Sequence, residues 1–138
     1  MKKLLKGFKN EKGQAMVEFA IVLPLLLLVI CAIIDFGWIF YNNISVNNCS
    51  REGARYAIVH STEANKVQLI TQRITDTAPD GLKNNLEITI TFSNIQNPTD
   101  GDVTVTVVGK VTALTPVVGI FAGGQVIRLT SKTTMKVE

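Results

Sequence analysis

The chain has 138 residues and a formal net charge of +3, and 46% of its residues are hydrophobic. One histidine and two cysteines do not supply a disulfide framework, a metal site, or a nucleophile with its base and orienting acid. We therefore expect no enzymatic activity, no metal and no cofactor. The excess positive charge lies in the first 12 residues, where five lysines stand against one glutamate, so we expect no nucleic-acid binding.

A long apolar segment follows this basic leader. Between residues 13 and 50 the chain carries only two formal charges, Glu18 and Asp35. As a helix, the segment from Val17 to Trp38 is about 33 Å long at about 1.5 Å per residue, which matches a hydrocarbon core of about 30 Å. The pattern predicts a single transmembrane helix over residues 14–41.

The residues on either side of the span predict its orientation. Lysines precede it, and Trp38 and Tyr41 lie where an aromatic belt is expected. The positive-inside rule then places the amino terminus in the cytoplasm and residues 42–138 in an extracytoplasmic head. The protein is expected to be a single-pass protein of the cell membrane, in contact with membrane lipid.

Two other interpretations of the apolar segment are weaker. A cleaved secretory signal has a similar basic and apolar pattern, but this apolar run is too long, and no clean small-x-small cleavage site follows it. A buried core helix of a soluble protein would have only the residues after the span to surround it. Too little chain remains there for that task.

Three residues of the span are unusual in a membrane helix. An acid such as Glu18 costs roughly 2.5 to 3.5 kcal/mol at the helix centre and less near the edge, so it needs a compensating charge or a place among interfacial lysines. Asp35 lies just before Trp38, where interfacial hydration or a partner's basic group would satisfy it. Pro24 removes one backbone hydrogen bond and is expected to kink the helix or let it melt locally.

The helical pattern continues past the span to about residue 59. Small or apolar residues recur every three or four positions, at Val46, Cys49, Gly53 and Ala57. Small residues allow close approach of another backbone, so Gly53 contacts either a neighbouring subunit's helix or its own domain; packing within the domain is favoured. On the opposite side, Glu52 can reach Arg55 at i+3.

The remaining sequence predicts a second helix over residues 63–77, which ends at a Pro-Asp-Gly turn. Its apolar stripe comprises Val67, Ile70 and Ile74. Alternation with period two then predicts strands over residues 86–92, from residue 103 to at least 107, and over residues 126–137. Turn residues 97–101 separate the first two strands.

These elements together predict an α+β fold. A long N-terminal membrane-spanning helix continues into a small head with a second helix and a three-stranded antiparallel sheet. A sheet with one apolar face needs a cover, and the first helix is the natural candidate. The apolar, glycine-rich segment 114–124 caps the sheet, contacts a partner or contacts the bilayer, and the sequence leaves these three alternatives open.

The residues at the start of the span carry a family resemblance. Residues 13–19, GQAMVEF, resemble the G-x-x-x-x-E-F processing motif of type IVb prepilins and pseudopilins. The longer stretch from Gly13 to Gly37 resembles the TadE-like family of the tight-adherence (Flp) pilus system. Residues 51–55, REGAR, resemble the segment downstream of the span in that family. The resemblance covers roughly residues 10–60.

The resemblance implies a processing step. A prepilin peptidase in the bacterial inner membrane would cut between Gly13 and Gln14 and remove the leader, residues 1–13. Glu18 and Phe19 would belong to the processing and assembly motif. The new α-amino group of Gln14, largely protonated at neutral pH, would lie four residues from Glu18 on one helix face. Glu18 would neutralise this amine or that of an adjacent subunit.

Two functions are therefore expected from the sequence. The first is a noncatalytic pseudopilin, whose partners are the prepilin peptidase, other pilin or pseudopilin subunits and the pilus assembly machinery. The second is an unprocessed, single-pass, membrane-anchored protein whose head binds a ligand or partner. Loss of residues 1–13 from the mature protein separates the two.

Overall fold

A computed structural model describes residues 11–94 and 101–137. One uninterrupted helix, α1 (Glu11–Val59), carries the chain from the predicted span into the head. The other helices are α2 (Lys66–Thr77), α3 (Asp80–Lys83) and α4 (Pro116–Ala122). The strands are β1 (Leu86–Phe92), β2 (Gly101–Thr112) and β3 (Val126–Val137). The predicted α+β fold is confirmed.

The three strands form one antiparallel sheet in the order β1-β2-β3. Ile88 lies opposite Val107 across the first pair, and Val105 lies opposite Thr133 across the second. The alternating residues dictate the two faces, because Val103, Val105, Val107 and Val111 of β2 are buried while the residues between them are more exposed. β2 is longer than the clear alternation in the sequence, since its pairing with β3 continues to Thr112. The predicted turn residues 97–100 lie outside the described residues.

The upper half of α1 covers the apolar face of the sheet. Its small-residue stripe is buried, and at Gly53 an added Cβ atom would lie 2.5 Å from Ile74 Cδ1 and 3.3 Å from Val105 Cγ1. At Gly109 of β2, an added Cβ would lie 2.8 Å from Val46 Cγ2. Glycine thus permits close approach on both sides of this interface, and the stripe packs against its own sheet and α2.

α2 completes the core. It begins at Lys66, three residues later than predicted, because residues 60–65 form turns and a short irregular segment. Ile70 and Ile74 are fully buried, as the apolar stripe predicted. Val67, the third residue of the apolar stripe, lies in the first turn and is half exposed.

We call residues 13–34 of α1 the stem and the packed part of the chain beyond it the head. The most apolar window of α1 has a mean hydropathy of 3.0, and none of that window is buried. Within the described residues, α1 is the one helix long and apolar enough to cross a membrane. The helix continues through Pro24. The stem therefore presents apolar surface along most of its length.

Candidate functional sites on the first helix

The candidate processing motif, residues 13–19, lies in the first turns of α1 as described. Gly13 and Gln14 are exposed, and the following apolar side chains Met16 and Phe19 are 76% and 64% exposed. None of the described residues of the head covers the bond between Gly13 and Gln14. The motif is therefore sterically open to a second protein.

Glu18 lies one helical turn after Gln14 and on the same face. Gln14 Nε2 donates a hydrogen bond to Glu18 Oε1 at 3.3 Å. Side chains of a helix tilt toward its amino end, which agrees with this contact of Glu18 with the residue one turn earlier. Glu18 is also the one formally charged residue of the stem. The geometry thus allows the pairing of Glu18 with an amine at position 14.

Asp35 is fully buried where the stem meets the head. Its Oδ1 accepts hydrogen bonds from the backbone N–H groups of Leu114 (2.9 Å) and Thr115 (2.8 Å), and its Oδ2 accepts one from the Thr115 hydroxyl. Thr115 is the N-cap residue of α4 and makes no side-chain capping bond of its own. The Asp35 carboxylate thus binds, from across the fold, the two residues that lead into α4. The expectation that interfacial water satisfies Asp35 is wrong.

Trp38 adds a second contact beside Asp35. Its indole Nε1 donates to the carbonyl oxygen of Thr112 at 3.2 Å, and Asn42 Nδ2 donates to the Trp38 carbonyl oxygen at 2.8 Å. We call the contacts of Asp35 and Trp38 with residues 112–115 the junction. The junction ties the end of β2 and the start of α4 to the top of the stem.

A shallow groove of about 400 Å³ lies on the outer side of α1 in the head. Its lining includes Arg51, Glu52, Arg55 and Arg73. Arg73 Nη2 lies 2.7 Å from Glu52 Oε1, and this ion pair raises the pKa of Arg73. Glu52 thus pairs with α2 rather than with Arg55, whose i+3 spacing had suggested a pair. The groove carries more positive than negative side chains.

The remaining reactive side chains form no chemical site in the part of the chain that the structure describes. No group of three or more His, Cys, Asp or Glu residues there could hold a metal ion. Cys49 is buried in the core, and burial raises the pKa of its thiol, which disfavours the reactive thiolate. Cys31 lies in the stem and is partly buried.

These features define a class of protein: an apolar N-terminal helix, suited to a single-pass membrane anchor, carries a small α+β head. Within this class, residues 13–55 match the model of the family described as TadE-like protein. The match confirms the predicted resemblance and spans the candidate processing motif, the stem, Asp35 and Gly53. It covers less than half of the chain and ends before α2 and the sheet. No curated protein and no solved structure matches the chain.

Proposed function

We propose that this protein is a noncatalytic pseudopilin that takes part in assembly of a tight-adherence (Flp, type IVb) pilus or a related secretion apparatus. The observation that carries the proposal is the family match over residues 13–55, which begins at the glycine of the motif and runs through the stem. In this proposal the stem anchors the chain in the bacterial inner membrane, with the amino terminus in the cytoplasm and the head outside.

The exposed stem supports a role in assembly. No residue of its most apolar window is buried in the part of the chain that the structure describes, so these side chains need lipid or other subunits to cover them. While the subunit is stored in the membrane, lipid covers the stem. When the subunit joins an assembly, other subunits replace that lipid. The head does not change its own packing in this exchange, because the stem contributes nothing to the core.

Cleavage between Gly13 and Gln14 is the first step that we propose. The bond is exposed, and it lies at the start of α1, where opening the helix breaks few backbone hydrogen bonds. Glycine lowers helix stability by about 1 kcal/mol relative to alanine, which makes this opening easier. The peptidase would remove residues 1–13, including the five lysines, and leave a new ammonium group on Gln14.

Pairing of this ammonium with Glu18 is the second step. The hydrogen bond between the Gln14 and Glu18 side chains supports it, because that contact brings the two residues together on one face. In hydrocarbon, an ion pair costs far less than an isolated carboxylate. Glu18 either pairs within its own chain or neutralises the amine of an adjacent subunit during assembly.

The mass of the mature protein tests the processing step. In cells that contain the peptidase, the intact mass is expected to correspond to residues 14–138, and in cells without it to the full chain. Gly13→Val should retain the leader in both, because the branched side chain crowds the scissile bond. Gly37→Val is the matched control, since an added Cβ at Gly37 meets nothing within 4 Å, and it should be processed normally. An unchanged full-length mass with the peptidase present contradicts the proposal.

Glu18→Gln tests the pairing step separately from cleavage. The variant should still lose its leader, while co-purification with other pilus subunits and the amount of surface fibre both fall. Asp102→Asn removes a carboxylate from the exposed side of β2 and serves as the control that leaves both unchanged. Normal fibres and normal subunit association in Glu18→Gln would show that the ammonium and Glu18 do not act as a pair.

The alternative function, an unprocessed membrane-anchored binding module, is favoured by one observation. The groove beside Arg51 and Arg55 is open and basic, which suits an acidic partner. Retention of residues 1–13 in the mature protein would favour this alternative. Charge reversal at Arg51 and Arg55 would then abolish partner binding without affecting membrane insertion.

A further inference from the structure

Residues 114–120 lie at the end of the head nearest to the stem. The junction holds them there, because Asp35 accepts hydrogen bonds from Leu114 and Thr115, and Trp38 donates to the residue at the end of β2. α4, which begins at Pro116, also contacts α1 directly. The position of this segment along α1 is therefore fixed by the position of Asp35.

Distances along α1 give the depth of this segment relative to a bilayer. Asp35 lies 17 residues after Glu18, which is about 25 Å along a helix. With Glu18 at one edge of a hydrocarbon core about 30 Å thick, Asp35 lies about 5 Å inside the other edge. Trp38, one turn later, then lies at that edge, where tryptophan is enriched. Leu114 and Thr115 must lie at nearly the same depth, because their N–H groups bind Asp35 directly.

The surface of this segment suits lipid contact. Leu114 and Ile120 are 59% and 77% exposed, and Val126, which follows the segment, is 60% exposed. Between Lys110 and Arg128 the sequence contains no charged residue. Phe36 and Phe40 of α1 are exposed at the same level of the helix. A charge-free apolar surface thus continues from the stem onto the head.

Backbone polar groups at the start of this segment have hydrogen-bond partners within the protein, as a position in the bilayer surface requires. Irregular backbone is tolerated at membrane depth only where its polar groups find partners within the protein. The N–H groups of Leu114 and Thr115 bind Asp35, the Ala113 N–H binds the Gln125 carbonyl oxygen at 2.8 Å, and the Thr112 carbonyl oxygen accepts from Trp38. The Asp35 carboxylate, in turn, is satisfied by three donors of its own chain.

We infer that residues 114–120 form a second membrane contact, a foot that rests in the bilayer surface on the side of the head, with the junction as its lock. Lipid contacts this apolar surface at the level of the headgroups and the first carbons of the acyl chains. The foot and the stem together fix the tilt and rotation of the head relative to the membrane. This inference depends on the stem crossing a bilayer and does not depend on cleavage after Gly13.

Site-specific fluorescence quenching in the unprocessed full-length protein tests the foot. In a background of Cys31→Ser and Cys49→Ala, single cysteines replace Ile120, Leu26 or Val59 and carry an environment-sensitive fluorophore in lipid nanodiscs. Leu26 lies in the stem, and Val59 lies about 36 Å beyond Asp35 along α1. Lipids with a nitroxide near the headgroup should quench the label at residue 120, lipids with a deep nitroxide should quench the label at residue 26, and neither should quench the label at residue 59.

Two results would overturn the proposal, provided that quenching of the label at residue 26 shows that the stem is inserted in the bilayer. Water-like emission at residue 120, without quenching, would show that the segment is free in solvent. Blue-shifted emission without quenching by either lipid would show that a second copy of the chain or another protein covers it. In both cases the proposed processing and assembly function stays intact, because cleavage is measured independently by mass.

The lock is tested in the same labelled protein. Asp35→Ala should reduce quenching at residue 120 at least several-fold and leave quenching at residue 26 unchanged. Thr115→Val removes only the hydroxyl donor, should fold normally and should give a smaller reduction of the same sign. Asp102→Asn is the matched carboxylate control. Undiminished quenching in both junction variants would show that the contacts of Asp35 do not hold the segment at the membrane.

Discussion

The two halves of α1 belong to one continuous helix but have opposite relations to the rest of the chain. In the stem, apolar residues surround the helix, and none of its most apolar window is buried by the described residues. In the head, the same helix buries a narrow stripe of small residues against the sheet and α2. A helix that is apolar all round is suited to lipid or to a shared interface, whereas a narrow stripe is suited to one internal partner. Stability therefore comes from the surroundings in one half and from the fold in the other.

The first prediction compares equal truncations in the two regions. Ile74→Ala removes a fully buried side chain from the core and should lower the free energy of unfolding of the head by about 2–5 kcal/mol. Ile33→Ala removes an exposed side chain from the stem and should change that free energy by less than about 0.5 kcal/mol. Urea unfolding in mild detergent, followed by the fluorescence of Trp38, the single tryptophan, measures both. Equal losses in the two variants would mean that the stem contributes to the fold of the head.

The second prediction compares two glycines of α1. Gly53→Leu forces a side chain into space occupied by Ile74 and Val105, so it should destabilise the head by about 1–3 kcal/mol. Gly37→Leu meets no neighbouring atom within 4 Å at its Cβ and should leave head stability unchanged or slightly increase it, because leucine favours a helix more than glycine does. The same urea experiment compares them. A stable Gly53→Leu variant would show that α1 can move away from the sheet.

Local sequence patterns were sufficient to predict most of the architecture. The length of α1, the bounds of β1 and β3 and the buried face of the sheet all follow from charge spacing and from periods of 3.6 and two residues. These patterns report which side of an element is buried. They do not report which residue, distant in sequence, contacts a given side chain in the fold. The wrong predictions concern contacts of this kind.

Asp35 shows that limit most clearly. Its donors are backbone N–H groups and a threonine hydroxyl that lie 79 and 80 residues later in the chain. Every residue except proline has a backbone N–H group, so the sequence does not show which of these groups binds a distant carboxylate. The same reason explains Glu52, whose partner Arg73 lies on α2 although Arg55 is closer in sequence. Only the absence of charge from residue 111 to 127 hinted that this end of the head differs from the rest.

The third prediction concerns the exposed face of the sheet, outside the core, and its expected effect is the smallest. Glu87 on β1 contacts Lys110 Nζ at 2.5 Å and Arg128 Nη2 at 3.0 Å, on the two other strands. These cations, Lys110 above all, lower the pKa of Glu87. Its charged form is thus favoured in the folded protein. These ion pairs stabilise the head above the unfolded-state pKa of about 4.5, and this stabilisation is lost as pH falls through the lower folded-state pKa.

Glu87→Gln should therefore lower the midpoint of thermal unfolding slightly at pH 7 and have no effect at a pH below the folded-state pKa of Glu87. The difference at pH 7 should shrink in 1 M salt, because the group is exposed and the ion pairs are screened. Asp102→Asn, on the exposed side of the neighbouring strand, is the control for loss of a carboxylate at a similar position. A difference that is constant across pH and salt would mean that Glu87 acts through packing of its methylene groups. The charges of Glu87, Lys110 and Arg128 would then contribute little to the stability of the head.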